Sequence, residues 1–212
     1  QGEAASIRAM VAHLAQTYAL DSSQIFITGF SAGGSMAAAM LAAYPDVFAA
    51  GAVISGLPVG VADNVSQALE AMSRGDQRSG PQAAAAVRLT SKAQNWPRLL
   101  VWHGLSDDIV VPANAGGLVR QWRHVHGLRA APDLDLTIPG GRHRRIWRDA
   151  KGRDLIEYDS VLGLGHMLVA PSTAVIAAFF GLKQPSLFDK ALEKVARVTD
   201  MRSLIARWSK QS

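Results

Sequence analysis

Residues 25–34 read I-F-I-T-G-F-S-A-G-G, and they decide the fold. Residues 25–28 are β-branched or aromatic, the composition of a short strand buried on both faces of a parallel sheet. Residues 35–43 are alanine-rich and read as a helix, which ends near Tyr44-Pro45 because the residue before a proline disfavours helical backbone. Strand, tight turn and helix put Gly29, Ser31 and Gly33 on the turn as G-x-S-x-G, the pattern of a nucleophile elbow. A serine there is strained, and Gly29 and Gly33, two positions to either side, let strand and helix approach. The N–H of Ala32, at the start of the helix, faces the space around the Ser31 hydroxyl and can stabilise an oxyanion. The plainer alternative is a Gly/Ser loop capping a helix; the flanking elements favour the elbow.

A serine hydroxyl is a weak nucleophile without a base. In the elbow's fold an acid and then a histidine follow, on loops after later strands. Residues 98–111 (R-L-L-V-W-H-G-L-S-D-D-I-V-V) hold an apolar run at 99–102 and then a loop with Asp107 and Asp108, either of which can be the acid. Residues 154–161 (D-L-I-E-Y-D-S-V) read as another strand, and the loop G-L-G-H-M after it offers His166 as the base. The other five histidines fit less well. His13, His124 and His126 lie on helical patterns and are expected near solvent, and His143 sits in an arginine-rich arm. His103, directly after a strand, is the lesser alternative base and suits packing beneath the acid loop.

Five separated stretches carry a family resemblance: residues 2–11 (G-E-A-A-S-I-R-A-M-V), 29–34, 44–56 (Y-P-D-V-F-A-A-G-A-V-I-S-G), 102–115 (W-H-G-L-S-D-D-I-V-V-P-A-N-A) and 163–167. Together they resemble the polyhydroxybutyrate depolymerase and feruloyl esterase group of α/β-hydrolases. The resemblance implies serine-type hydrolysis of carboxylic esters, of hydroxyalkanoate or feruloyl and acetyl type, through an acyl-enzyme and with no cofactor and no metal. Laid on the group's W-H-G-x-x-D pattern, it puts the acid at Asp107 and, with the same carry-over, the nucleophile at Ser31 and the base at His166. It also implies a secreted or periplasmic setting, although no leader is visible in these residues. The group's domain begins several strands before the segment matching residues 2–11, so the expected sheet is N-terminally incomplete. It would have an exposed edge at residues 25–28 and lack the second oxyanion donor. The rival readings are a serine peptidase of the same fold and a non-catalytic hydrolase fragment.

Composition agrees with an α/β domain. The chain has 212 residues, 49% of them apolar, enough for one sizeable core. Strand-like runs at residues 25–28, 50–55, 99–102, Leu134–Ile138 and 155–158 alternate with helical stretches, the last at 172–180. This predicts a three-layer αβα sandwich with a mostly parallel sheet. The expected hydrolase domain is 1–184, with 57–97 as a lid or insertion. Leu57, Val59 and Met72 are candidates to line a pocket there, joined by Phe30 and Trp102 near the elbow and the acid loop. Residues 185–212 read as an amphipathic basic helix, which would pack back or join a partner; a homo-oligomer through that helix or the exposed edge is the expected assembly. The net charge of +5 is concentrated in arginines between 120 and 153, many on a hairpin turning at 149–152, and reads as a solvated face. An attraction for anionic polymer surfaces is the alternative, and no nucleic-acid motif accompanies the charge. The triplet Arg74-Gly75-Asp76 invites an integrin-binding reading, which is set aside because such triplets are common. There is no cysteine, and no apolar run long enough to span a membrane.

Overall fold

The computed structural model describes residues 2–182. Six strands, β1 (Phe26–Phe30), β2 (Ala50–Ile54), β3 (Arg98–Gly104), β4 (Leu134–Ile138), β5 (Arg142–Arg148) and β6 (Asp154–Val161), form one sheet in the order β1-β2-β3-β6-β5-β4. β1, β2, β3 and β6 run parallel, and β5 and β4 are added antiparallel by hairpins. The helices are α1 (Glu3–Tyr18), α2 (Ala32–Ala43), α3 (Val65–Arg74), α4 (Gly80–Arg88), α5 (Ala113–His126) and α6 (Ala170–Phe180). This is the α/β-hydrolase fold expected from the sequence. Residues up to Leu168 form one compact unit, and α6 belongs to a second. The tail helix anticipated at 185–212 lies outside the described residues.

The main core lies between the sheet and the helices of the first unit. α2 covers β1 and β2 with Ala37, Ala38 and Leu41, while Leu118 and Trp122 of α5 lie in the same core as Leu99, Val101 and Ile156. β2 can carry Gly51 beneath α2 because a Cβ there would meet Leu41 Cδ1 at 2.5 Å. A buried amide helps to anchor the 57–97 segment. Gln121 accepts from Val59 N–H at 3.0 Å and donates to the carbonyls of Val59 at 2.9 Å and Ala83 at 2.8 Å. That satisfies both ends of an amide which burial would otherwise penalise.

Three sequence expectations change at this level. β1 is half-buried rather than buried on both faces, since among the described residues it pairs only with β2 and forms the edge of the sheet. The elbow is tighter than expected, with β1 running to Phe30 and α2 beginning at Ala32. Arg142, Arg144 and Arg145 of β5 are half-buried rather than a solvated face, while Arg148 is exposed. Register places Arg144 opposite Asp159, and the guanidinium binds both carboxylate oxygens, at 3.2 and 3.0 Å. It also lies 2.8 Å from Glu157 Oε1, and Arg142 lies 3.5 Å from Asp159. On the other face Arg145 stacks 4.6 Å over the Tyr158 ring. Burial, with Asp159 beside it, pushes the Glu157 carboxyl up to about 8. The hairpin turn itself is where it was expected, with Asp149 accepting from the N–H groups of Lys151 and Arg153 and Gly152 at φ 77°. Asp76 of the Arg-Gly-Asp triplet is turned inward to Arg78 and Arg120, so the triplet is not presented as a binding loop.

Candidate active site

The C-terminal ends of the parallel strands bring three loops together. Ser31, between β1 and α2, has φ 57° and ψ −122°, a conformation that side-chain-bearing residues rarely adopt. Its N–H donates to Ile54 O of the neighbouring strand at 2.9 Å, which holds the turn in that shape. The glycines divide their work differently from the sequence expectation. A Cβ on Gly29 would lie 2.0 Å from Gly33 O, and one on Gly34 would lie 2.9 Å from Ile54 O, whereas one on Gly33 would meet nothing within 4 Å. Close approach therefore requires Gly29 and Gly34, not Gly33. Ala32 is the first residue of α2, where the N–H groups have no intrahelical acceptor.

The acid loop leaves β3 at Gly104. Asp107 is 3% exposed and Asp108 is exposed, which separates the two carboxylates that sequence order alone left equivalent. Asp107 Oδ1 accepts the N–H groups of Ile109 at 3.1 Å and Val110 at 2.9 Å. Burial works to raise the Asp107 carboxyl. Hydrogen bonds from His166, the Val110 N–H and the Ser55 hydroxyl outweigh it and hold the group below the ordinary aspartate range.

His103 supports this loop from beneath. Its Nε2 lies 2.7 Å from Val110 O and 3.3 Å from Asp107 Oδ2. A carbonyl can only accept, so Nε2 carries the proton and donates, closing the loop. Burial pushes the His103 pKa down and keeps the ring neutral. Its other nitrogen is enclosed without a hydrogen-bond partner, so the lesser alternative for the base is a loop support.

His166 comes from the loop after β6. That loop is tied to the acid loop by Ser106 N–H to Leu164 O at 2.9 Å and Leu105 N–H to Val161 O at 2.8 Å. The two loops pass so closely that a Cβ on Gly104 would lie 2.1 Å from Leu164 O. The ring stands between the other two side chains, with Nδ1 2.8 Å from Asp107 Oδ2 and Nε2 2.9 Å from Ser31 Oγ. A buried carboxylate accepts, so Nδ1 carries the proton and Nε2 presents a lone pair to the serine hydroxyl.

Of the five pocket candidates, Phe30 stands beside this chain of bonds, its ring centroid 4.8 Å from that of His166, while Val59 is buried in the main core and Met72 packs against the Leu57 cluster. Trp102 is 2% exposed in β3, with Arg142 over its ring, and Leu57 packs with Ala71 and Val110. Both lie buried beneath the loops, as the alternating faces of β3 and the inward turn after β2 require. α3 flanks the end of the acid loop, where Val111 N–H donates to Met72 O at 2.8 Å, and Asn114 Nδ2 of α5 donates to Ala71 O at 2.8 Å, whereas α4 is an ordinary core helix packed on α5. Among the described residues no group of three or more His, Asp or Glu side chains is arranged to hold a metal ion.

A strained serine at a strand-to-helix turn, hydrogen bonded in series to a histidine and a buried aspartate from later loops, defines an α/β-hydrolase. Residues 1–135 match the family model described as Esterase PHB depolymerase, and the chain belongs to that family. The match includes Ser31 and Asp107, and His166 lies beyond it. Poly(3-hydroxyalkanoate) depolymerase C of Paucimonas lemoignei is 36% identical over 168 residues, covering 78% of this chain and 40% of that protein. Feruloyl esterase B of Talaromyces funiculosus is 34% identical over 186 residues, covering 84% and 51%. Among solved structures, an acetyl xylan esterase from Aspergillus awamori superposes with a TM-score of 0.76 at 25% identity, covering 86% of this chain and 68% of that one. The chain thus spans about half the length of these curated relatives.

Proposed function

We propose that this chain carries the catalytic centre of a serine carboxylic ester hydrolase acting on hydroxyalkanoate esters or on feruloyl and acetyl esters. The observation that carries the reading is the unbroken series Ser31 Oγ, His166 Nε2 at 2.9 Å, and His166 Nδ1 to Asp107 Oδ2 at 2.8 Å. Ser31 Oγ attacks the ester carbonyl as His166 Nε2 takes its proton. Asp107 keeps the imidazole in the tautomer that can accept and stabilises the imidazolium that forms. The oxyanion is met by the N–H of Ala32 at the head of α2. His166 then protonates the departing alkoxide, an acyl-Ser31 ester remains, and water deprotonated by His166 hydrolyses it. Phe30, against the imidazole, forms one wall of the acyl site. The relatives' names support the choice of esters, and the substrate is a small or polymeric ester.

The test is turnover of p-nitrophenyl acetate, methyl ferulate and a 3-hydroxybutyrate oligomer by the purified chain and by Ser31→Ala. The serine variant should lose turnover by several orders of magnitude while melting cooperatively. A native chain that melts cooperatively yet turns over none of the three would sink the proposal and leave a binding fragment. Faster cleavage of matched amides than of esters would replace it with a peptidase.

A further inference from the structure

Two imidazoles meet the Asp107 carboxylate, and only one of them directs its proton to it. Oδ1 accepts the N–H groups of Ile109 and Val110, at 3.1 and 2.9 Å. Oδ2 lies 2.8 Å from His166 Nδ1 and 3.3 Å from His103 Nε2. His103 Nε2 is closer to Val110 O, at 2.7 Å, so its proton goes to that carbonyl. Its Nδ1 is buried with no hydrogen-bond partner, so a second proton there would have no acceptor and the ring keeps one N–H. Oδ2 is therefore left to His166 as its acceptor. The His103 ring, in contact with the same oxygen, fills the space into which the carboxylate would otherwise turn.

Val110 closes the bracket. It donates its N–H to Asp107 Oδ1 and accepts at its carbonyl from His103, so the carboxylate is tied through one residue to a side chain on β3. β3 lies inside the sheet between β2 and β6, and His103, opposite Ser160, is 0% exposed. The acid loop is outside the sheet. Its flanks are tied by Ser106 N–H to Leu164 O at 2.9 Å and by Val111 N–H to Met72 O at 2.8 Å, and the residues between them must be braced from within. The buried ring carries the rigidity of the strand to the acid.

We propose that His103 is a positioning residue for Asp107. Its Nε2–H, given to Val110 O, fixes the residue that holds Oδ1, and its ring, against Oδ2, keeps that oxygen directed at His166 Nδ1–H. His103 touches no substrate and moves no proton in the reaction. The inference rests on the reading of Ser31, His166 and Asp107 as the catalytic centre.

Kinetics and melting of His103→Leu, His103→Gln and His103→Asn, with His103→Leu also combined with Asp107→Ala, test this. His103→Leu keeps the bulk and removes the donor, and should lower kcat about tenfold with KM little changed. A glutamine amide can present an N–H where Nε2 stands, so His103→Gln should keep kcat within about threefold of the native chain. Asparagine is one methylene too short and should behave like leucine. In the Asp107→Ala background His103→Leu should change kcat by less than about twofold, since the group it acts through is gone. The low-field proton resonance of His166 Nδ1–H reads the Asp107 contact without turnover; it should shift in His103→Leu and return in His103→Gln. If His103→Leu does not melt cooperatively, the contrast between glutamine and asparagine decides. Native kcat in a folded His103→Leu, equal kcat in the glutamine and asparagine variants, or an undiminished effect when Asp107 is absent would overturn the role of His103 alone. Turnover that survives Ser31→Ala would overturn the catalytic reading itself, and the role of His103 with it.

Discussion

At Ser31 a five-residue pattern meets the backbone geometry that it demands. φ 57° and ψ −122° lift the hydroxyl clear of strand and helix, and Ile54 O holds the N–H that would otherwise be lost to the turn. The glycines around it make a sharp prediction because their surroundings differ. An alanine at 29 would bring its Cβ to 2.0 Å from Gly33 O, a contact with backbone that cannot be relieved without opening the elbow. Gly29→Ala should therefore fail to fold or melt far below the native chain. An alanine at 33 meets open space on a residue already helical, so Gly33→Ala should stabilise the chain by up to about 1 kcal/mol through helix propensity. Thermal melts of the two variants side by side decide the point, and equal destabilisation would show that both glycines are needed for close approach.

At the scale of the element, α5 carries a titratable side chain that its sequence pattern disguised. His124 and His126 were expected near solvent, yet both are half-buried. His126 Nε2–H donates to Pro97 O at 3.1 Å, and its ring lies 6.1 Å from that of Trp122. Burial pushes its pKa down to about 4, against the ordinary 6.5 of an exposed imidazole. As pH falls below 6.5 the unfolded chain binds this proton first, so the stability that His126 contributes above 6.5 is lost progressively down to about 4. His126→Gln keeps an N–H for the Pro97 carbonyl and removes the titration. Between pH 7 and pH 5 the native melting temperature should drop further than that of the variant. Parallel curves would assign the acid sensitivity to other groups.

On the scale of the whole molecule, the sheet has two edges among the described residues. β4 ends it on one flank, and β1, with Thr28 exposed, ends it on the other. Unpaired N–H and C=O groups along an edge are a template for another strand. The chain on its own should therefore self-associate with rising concentration, and Thr28→Lys should suppress this by placing a charge on the edge. Sedimentation velocity over a tenfold concentration range checks it; a concentration-independent monomer in the native chain would show the edge to be protected.

Much of this was legible because the deciding signals are local. The strand, turn and helix of residues 25–43 and the 149–152 hairpin turn follow from short-range backbone preference, and the structure has each of them there, the elbow tighter than read; the order serine, aspartate, histidine came instead from the fold that the elbow implies. What stayed hidden depends on partners far apart in sequence. The charge on β5 read as solvated because Asp159 lies 15 positions from Arg144, and only cross-strand register puts them face to face. The two acid-loop carboxylates became distinct only when Val110 N–H and His166 closed on Asp107. By itself the sequence determined the elements and the elbow and, with the family resemblance, nominated Ser31, Asp107 and His166, since these rest on propensity and on chemistry that each residue carries alone. Only the tertiary structure decided which carboxylate is buried, which histidine is free to act and which arginines are spent inside the sheet. Those properties belong to pairs of groups, and a pair exists only once the chain has folded.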